Sequence, residues 1–222
     1  MSRLKYHGNA VQELAQGYDD VLIKEPEKYQ GQWNQLVFKN NHKLYLEIGI
    51  GKGDFIIENA KKYHDINFIG IEVFSIALIK AAKKYQQLTI ANKPDNLKLI
   101  QFDANDLLTI FNQGEIDQIY LNFSDPWPKT RHEKRRLSFV TFLTIYHQIL
   151  KANGQIHLKT DNDQFFAYSI NSFLKCGWKL IKKTTNLVAS VDNQNNIETE
   201  YEKKFKQLGE NINYVVFQKQ SF

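Results

Sequence analysis

Short apolar runs alternate with longer segments of helical pattern from Lys43 to the end of the chain. Strands separated by helices in this way predict βαβ units and a mostly parallel sheet, and near-continuous apolar strands indicate burial on both faces. The helical segments are DFIIENAKKY, SIALIKAAKKYQQLTIA, SFVTFLTIYHQIL and QFFAYSINSFLK. The strand-like segments are KLYLEIGI, NFIGIEV, NLKLIQF, QIYLNF and GQIHLKT, followed by WKLIKKTTNL and NYVVFQK, which predict an antiparallel pair. The pattern therefore predicts an α/β fold with helices on both faces of the sheet.

Length and composition favour one globular domain. The chain has 222 residues, of which 42% are hydrophobic and 24% charged, and this is enough to bury one core. We expect a single domain over residues 1–222, with residues 1–42 as an N-terminal extension and residues 43–222 as the core. The lone Cys176 forms no internal disulfide, and no apolar run has the length of a membrane span or a secretory signal. We therefore expect a cytoplasmic protein with no membrane partner.

A glycine-rich turn follows the first predicted strand, at the sheet edge where α/β proteins bind ligands. Gly49, Gly51 and Gly53 alternate after Glu47, and without Cβ atoms they let a ligand approach the backbone closely. Their spacing differs from the dinucleotide fingerprint and from the P-loop. Glu72 ends the second strand 19 residues after Gly53, where a carboxylate can hold a ribose diol. A tight turn alone is the alternative, but Glu72 favours an adenosine-containing cofactor.

Asp103 and Ala104 follow the third predicted strand. Aspartate is a preferred residue at a helix N-cap, so Asp103 could cap the helical turn after it. It could also accept a hydrogen bond from the amino group of an adenine bound at this edge. The two roles are compatible, and both stay open at this point.

The fourth predicted strand leads into the loop NFSDPWPK, residues 122–129. Two prolines around Trp127 exclude a helix or a central strand and predict a rigid loop. The Asp125 carboxylate, the Asn122 amide and the Trp127 indole at the ligand edge predict a pocket for a flat, hydrogen-bonding base. A surface turn with Trp127 packed on the core is the alternative. Because Asp125 lies where ligands bind, we favour the pocket.

A basic segment directly follows this loop. Five of the eight residues at 129–136 are cations, opposed only by Glu133, within a chain of net charge +5. Such a cluster would neutralise several phosphates of a nucleic acid. Most charge runs are merely solvated faces, but the adjoining pocket loop favours contact with RNA or DNA.

Two later segments bring further polar groups. Asp161 follows Thr160 at the end of the fifth strand and offers a second carboxylate at the same edge, or else caps the next helix. Thr199 with Glu202 matches a capping box and predicts a helix start.

Together these segments resemble the bacterial tRNA (guanine-N7-)-methyltransferase family. EIGIGKG, the acidic end of strand two, NFSDPWPKTRHEKRR, the TD after strand five and the late TEYE follow one another from about Leu44 to about Phe217. The DPWPK-x-R-H-x-K-R-R stretch is the most specific of them. The resemblance implies a Rossmann-like class I S-adenosylmethionine-dependent methyltransferase, with a seven-stranded, mostly parallel sheet whose last strand is antiparallel.

The resemblance also implies the ligands and the roles of individual residues. The cofactor would be S-adenosyl-L-methionine, and the substrate a tRNA methylated at N7 of guanosine 46 in the variable loop. Asp125 would be catalytic and would also contact the cofactor, together with Glu47, Gly49, Gly51, Gly53, Glu72, Asp103, Ala104 and Asn122. Substrate contacts would come from Lys129, Asp161, Thr199, Glu200, Tyr201 and Glu202. RNA contacts would come from Arg131, His132, Glu133, Lys134, Arg135 and Arg136. We expect a monomer or a homodimer.

Other classes of function fit the sequence less well. An NAD-dependent oxidoreductase would need the other glycine spacing and a group that polarises the hydride acceptor. An adenine amino-methyltransferase would carry [DNS]-P-P-[FYW] where this chain has D-P-W-P. A non-catalytic RNA-binding module would not need the glycine turn with Glu72. The six histidines show no metal-ligand spacing, so we expect no metal.

Overall fold

The computed structural model describes residues 17–220, apart from the side chain of Asn195. The chain divides into two compact units, of which the first ends at Phe111 and the second begins at Asn112. Residues 1–16, the start of the expected N-terminal extension, and residues 221–222 lie outside the described residues. Within the described part of the chain, no helix combines the length and the apolar character that crossing a membrane requires.

The first unit is built on three parallel strands. These are β1 (Lys43–Ile48), β2 (Ile66–Glu72) and β3 (Leu97–Gln101), with β2 in the middle. The helices α1 (Asp54–Lys62) and α2 (Ser75–Gln86) connect them. Six of the seven residues of β2 are buried, as expected for a strand covered on both faces. The core cluster of this unit includes Ile56, Ile57, Phe68, Leu78, Ala81 and Leu99.

The described part of the N-terminal segment, residues 17–42, packs on the first unit. The Leu99 backbone N–H donates to the Val21 carbonyl at 2.8 Å, so this segment pairs with the outer edge of β3. Trp33 is fully buried, and its Nε1 donates to the Ile110 carbonyl at 2.8 Å. The segment contains the 3₁₀ turn Pro26–Tyr29 and the short π-helix Trp33–Phe38.

The second unit contains four strands in the spatial order β4-β5-β7-β6. They are β4 (Ile116–Asn122), β5 (Leu150–Thr160), β6 (Lys179–Thr184) and β7 (Asn213–Gln218). Strand β7 is antiparallel to both of its neighbours, whereas β4 and β5 are parallel. The helices of this unit are α3 (Val140–Ile149), α4 (Asp163–Lys175) and α5 (Glu200–Gln207). Short 3₁₀ turns elsewhere span Ile90–Asn92, Ala104–Thr109, Thr130–Arg135 and Val191–Asn195.

The predicted elements are confirmed, with one boundary corrected. Seven strands are present, and the last is the antiparallel one. The second helix was expected to continue to residue 91 but ends at Gln86. The chain turns back at this point, because the buried Tyr85 hydroxyl donates to the Pro94 carbonyl at 2.8 Å and the backbone of Thr89 is extended.

Candidate active site

The glycine turn of the first unit has the conformation that its sequence predicts. Gly49, Gly51 and Gly53 have φ angles of +78°, +56° and +79°, a region that side chains with a Cβ rarely adopt. A Cβ on Gly49 or Gly51 would meet nothing within 4 Å, whereas one on Gly53 would lie 2.7 Å from the Ala81 Cβ. The first two glycines therefore leave an open surface on the loop, and Gly53 allows α1 to approach α2.

The Glu72 carboxylate lies against this turn. Its Oε2 accepts from the Gly51 backbone N–H at 2.9 Å, and its Oε1 accepts from the Phe74 N–H at 3.0 Å. The residue is only 6% exposed. Glu72 therefore holds the backbone of the glycine turn, at the edge where the sequence predicts an adenosine-containing cofactor.

The other cofactor candidates of the first unit lie at the ends of β1 and β3. Glu47 is buried within β1, and Ala104 is buried directly after Asp103. Asp103 caps the turn Ala104–Thr109, because its Oδ1 accepts from the Asn105 backbone N–H at 2.9 Å. Asp103 is nevertheless exposed, so the capping role leaves its second oxygen available to a ligand.

In the second unit, the loop after β4 has an unusual backbone. Phe123 and Trp127 have φ angles of 51° and 41° although neither is glycine, and such conformations persist only where surrounding contacts hold them. Asn122 is buried at the end of β4. Asp125 is exposed and makes no hydrogen bond or ion pair within residues 17–220. The loop thus presents a carboxylate from a rigid backbone.

Ser124 is a polar residue of this loop that the sequence analysis did not single out. Its Oγ is buried and has no hydrogen-bond partner among residues 17–220. Buried hydroxyls are normally satisfied, so this oxygen is a candidate contact for a ligand. No sequence signal separates it from an ordinary loop serine.

The basic segment divides into two groups of side chains. Lys129, Arg131, Lys134 and Arg135 are exposed, whereas His132, Glu133 and Arg136 are half-buried and contact other parts of the protein. Partial burial, followed by the positive charges of Arg135, Arg131 and Lys129, lowers the pKa of His132. The imidazole therefore adds no positive charge at neutral pH.

Asp161 remains open to a ligand because its neighbour caps the next helix. The Asn162 Oδ1 accepts from the Phe165 backbone N–H at 2.8 Å, so the N-cap of α4 is Asn162 and not Asp161. Asp161 is exposed and has no hydrogen-bond or ion-pair partner within the described ranges. This removes the capping alternative for Asp161.

The predicted capping box at Thr199 is confirmed. The Thr199 Oγ1 accepts from the Glu202 N–H at 3.0 Å, and the Glu202 Oε2 accepts from the Thr199 N–H at 2.8 Å. Both residues are buried, whereas Glu200 and Tyr201 between them are exposed. Only Glu200 and Tyr201 therefore offer side chains to a ligand.

A buried ion pair joins this capping box to the end of β5. The Lys159 Nζ lies 2.9 Å from Glu202 Oε2, with side-chain exposures of 5% and 4%. Lys159 also donates to Asn196 Oδ1 at 2.5 Å and to the Ile197 carbonyl at 3.2 Å. Sequence analysis missed Lys159, although a lysine in an otherwise apolar strand signals a buried charge that requires a partner.

Three aromatic rings stack where the β4 loop meets α5. Phe123 lies 5.6 Å from Tyr201 and 6.1 Å from Phe205, centroid to centroid, with interplanar angles of 17° and 13°. Tyr201 is 50% exposed. The strained Phe123 backbone therefore aims its ring at α5, and the Tyr201 ring keeps half of its surface for solvent or for a base.

Residues 17–220 contain no group of three or more His, Cys, Asp or Glu side chains that could hold a metal ion.

Sequence comparisons show which known proteins this chain resembles. A family model described as a putative methyltransferase matches residues 41–215. The chain is 46% identical over 210 residues to the tRNA (guanine-N(7)-)-methyltransferase of Geobacillus sp. (strain WCH70). The aligned region covers 95% of this chain and 92% of that protein. It is 44% identical over 193 residues to the protein of the same name from Bacillus subtilis (strain 168), which covers 87% and 88%.

A solved structure supports the fold independently of close sequence similarity. The 16S rRNA methyltransferase KamB matches with a TM-score of 0.64 at 12% identity, over 86% of this chain and 94% of that one. This likeness confirms the predicted Rossmann-like class I methyltransferase fold. The sequence matches extend over nearly the whole chain and include every motif that carried the resemblance. The chain belongs to the bacterial tRNA (guanine-N7-)-methyltransferase family.

Proposed function

We propose that this chain transfers a methyl group from S-adenosylmethionine to N7 of a guanine in tRNA. The family to which it belongs supports this reaction. The structural observation that carries the proposal is the loop after β4, where Asp125 is exposed and has no partner among the described residues. A rigid loop that offers a carboxylate suits a base with hydrogen-bond donors on its edge.

We assign cofactor binding to the glycine turn and Glu72 of the first unit. The open space over Gly49 and Gly51 lets a ligand reach the backbone, and Glu72 lies against the same turn as the proposed acceptor for ribose hydroxyls. Glu47, Gly53, Asp103, Ala104, Asn122 and Asp125 complete the proposed set. When bound, S-adenosylmethionine supplies an electrophilic methyl group on a sulfonium centre.

We assign recognition of the base to side chains of the second unit. Guanine presents two donors, N1–H and the amino group, and carboxylates accept from them in a way that adenine cannot match. Asp125 and Asp161 are the exposed carboxylates with unused acceptors, and the half-exposed Tyr201 ring offers a stacking face. Glu200 and Lys129 are the remaining exposed candidates for substrate contact. Thr199 and Glu202 would act by positioning Tyr201, because their polar groups are engaged in the capping box.

Catalysis in this proposal depends on alignment and charge. The guanine N7 already carries a free lone pair at neutral pH, so the protein has no proton to remove from the attacking atom. Asp125 and Asp161 would hold the base so that N7 faces the methyl group. A negative charge near the base also favours the positive charge that develops on the ring.

The finer features of the reaction also belong to the proposal. We infer that the target is guanosine 46 of the tRNA variable loop, and that the enzyme works in the cytoplasm as a monomer or a homodimer.

Mass spectrometry of tRNA nucleosides tests the proposed function directly. An unmodified tRNA transcript incubated with the protein and S-adenosylmethionine should yield 7-methylguanosine. A transcript with adenosine in place of guanosine 46 should yield none. Methylation of that second transcript would move the target elsewhere, and no 7-methylguanosine in either would reject the activity.

We expect Glu72→Ala to weaken cofactor binding. Loss of a buried acceptor costs about 1–3 kcal/mol, so the dissociation constant of S-adenosylmethionine should rise roughly 5- to 150-fold. Titration calorimetry measures this change, with Glu58→Ala as the matched control because Glu58 is an exposed α1 residue paired with Lys61. The tRNA affinity should stay near that of the wild type. A wild-type cofactor affinity in Glu72→Ala would remove Glu72 from the site.

The exposed cations of the basic segment should set the salt dependence of tRNA binding. Each lost phosphate contact lowers the log–log salt slope by about one unit, so Arg131→Gln with Lys134→Gln should lower it by about two. The control is Lys24→Gln with Lys151→Gln, which removes the same charge from two surface ion pairs outside the segment. Equal slopes in the two double variants would identify the segment as a solvated face.

A further inference from the structure

Arg136, the last cation of the basic segment, turns its guanidinium towards the Pro-Trp-Pro loop. Its Nε donates to the Pro126 carbonyl at 3.0 Å, and its Nη2 donates to the Trp127 carbonyl at 3.0 Å. Both acceptors are backbone atoms of the loop that carries Asp125. Two of the five N–H donors of the guanidinium, those on the edge formed by Nε and Nη2, are therefore engaged with the loop backbone.

A second set of contacts holds Arg136 from the side of α4. Its Cζ lies 4.2 Å from the centre of the Tyr168 ring, a cation–π distance. Burial and then the neighbouring Glu133 raise the pKa of Tyr168, so the hydroxyl stays protonated at neutral pH. Helix α4 thus anchors the arginine at a fixed place.

The loop needs such an anchor because its backbone is strained. Trp127 has a φ angle of 41°, a conformation that costs a non-glycine residue free energy and persists only when neighbouring contacts impose it. Arg136 bonds to the carbonyl of this same residue. Asp125 lies two positions earlier in the chain, so its place depends on how the loop is held.

The geometry of the contact favours arginine over any other cation. A guanidinium is planar and presents several N–H donors in a fixed fork, whereas a lysine ammonium is a single point charge on a flexible stem. The neighbouring Arg135 makes a different contact, with its Cζ 4.9 Å from the Trp127 ring centre, and remains exposed. The two adjacent arginines therefore have different tasks.

We propose that Arg136 is a positioning residue that fixes the Pro126–Trp127 loop, and through it Asp125, rather than an RNA contact. This inference rests on the proposed methyl transfer for its kinetic consequence, whereas its structural consequence can be measured without any activity. The interpretation of Arg136 as one of the RNA-binding cations of the segment is thereby replaced.

The kinetic test compares Arg136→Lys with Arg131→Gln. Arg136→Lys keeps the charge but loses the fork, so kcat at saturating tRNA should fall roughly 10- to 100-fold, a typical cost of misplacing a catalytic group. In Arg136→Gln, which also removes the charge, the salt slope of tRNA binding should keep its wild-type value. Arg131→Gln should instead raise KM for tRNA and flatten that slope.

The structural test uses the fluorescence of Trp127. The other two tryptophans, Trp33 and Trp178, are buried, and the signal of Trp127 is the difference between each protein and its Trp127→Phe counterpart. Acrylamide should quench this signal more strongly in Arg136→Lys than in wild type. If wild type shows no methylation, the proposed function fails, while the quenching result still decides whether Arg136 holds the loop.

Two results would overturn the inference. One is wild-type kcat and wild-type quenching in Arg136→Lys, and the other is a flattened salt slope in Arg136→Gln, which would make Arg136 a phosphate contact. If Arg136→Lys fails to fold, Tyr168→Leu replaces it, because it removes the ring whose centre lies 4.2 Å from the Arg136 Cζ. This variant should also lower kcat and raise quenching, and wild-type values for both would reject the proposal.

Discussion

Asp125→Asn should slow methyl transfer by roughly 100- to 1,000-fold, the usual effect of removing one electrostatic contribution to a transition state. Asparagine has nearly the same shape as aspartate, but it carries no charge and replaces one acceptor oxygen with a donor. The base would therefore lose an acceptor for its N1–H or amino group. The positive charge that moves onto the guanine ring would also lose the negative charge of the Asp125 carboxylate that stabilises it. The loss should appear in the chemical step and not in cofactor affinity alone.

The pH dependence of the same step separates charge from base catalysis. Since N7 has no proton to lose, the methyl-transfer step needs no general base, and the single-turnover rate constant should be flat from about pH 6 to 8. The measurement uses saturating tRNA and cofactor, with wild type and Asp125→Asn side by side. A rate that rises with pH in the wild type and loses this rise in Asp125→Asn would establish general-base catalysis instead.

Lys159→Met should destabilise the second unit by about 3–5 kcal/mol, because it leaves the buried Glu202 charge without its cation. The side chains of this pair are 5% and 4% exposed, so water cannot take the place of the lysine. Methionine retains the length of the side chain and little of its polarity. Guanidinium unfolding of wild type and variant measures the difference.

Two further variants show whether the charge causes that loss. Lys151→Met breaks a surface ion pair whose lysine is 45% exposed, and it should cost less than about 1 kcal/mol. Adding Glu202→Gln to Lys159→Met should recover part of the stability, since glutamine is neutral and still offers an oxygen to the Thr199 N–H. If the double variant is no more stable than Lys159→Met, packing rather than the unpaired charge explains the cost.

The elements and the cofactor edge could be predicted because their signals are local. Apolar runs of strand length predicted all seven strands, and alternate glycines predicted a turn whose φ angles are all positive. The capping box at Thr199 was predictable for the same reason, since its two partners lie three residues apart. Local chemistry of this kind is visible in one window of sequence.

The contacts of individual side chains could not be predicted, because they depend on distant partners. Lys159 pairs with a residue 43 positions away, and the ring that Arg136 contacts belongs to Tyr168 on α4. A run of cations carries no sign of which member faces solvent and which faces the protein. For Asp161 the sequence left two roles open, and only the structure shows that its neighbour Asn162 caps the helix.

The backbone pairing of residue 21 with Leu99 has a consequence for solubility. An outermost strand with free N–H and C=O groups can recruit strands from other molecules and start aggregation. In the first unit the N-terminal segment covers the middle of that edge, and the Lys98 ammonium fastens it by donating to the Asp20 carbonyl at 2.6 Å. In the second unit the outermost strand, β6, is mostly exposed and carries Lys179, Lys182 and Lys183, whose repulsion disfavours pairing with a second copy. Removing the chain up to and including Ile23 would therefore take away both the paired segment and its bond to Lys98, and would leave the edge of β3 open to strands of other molecules.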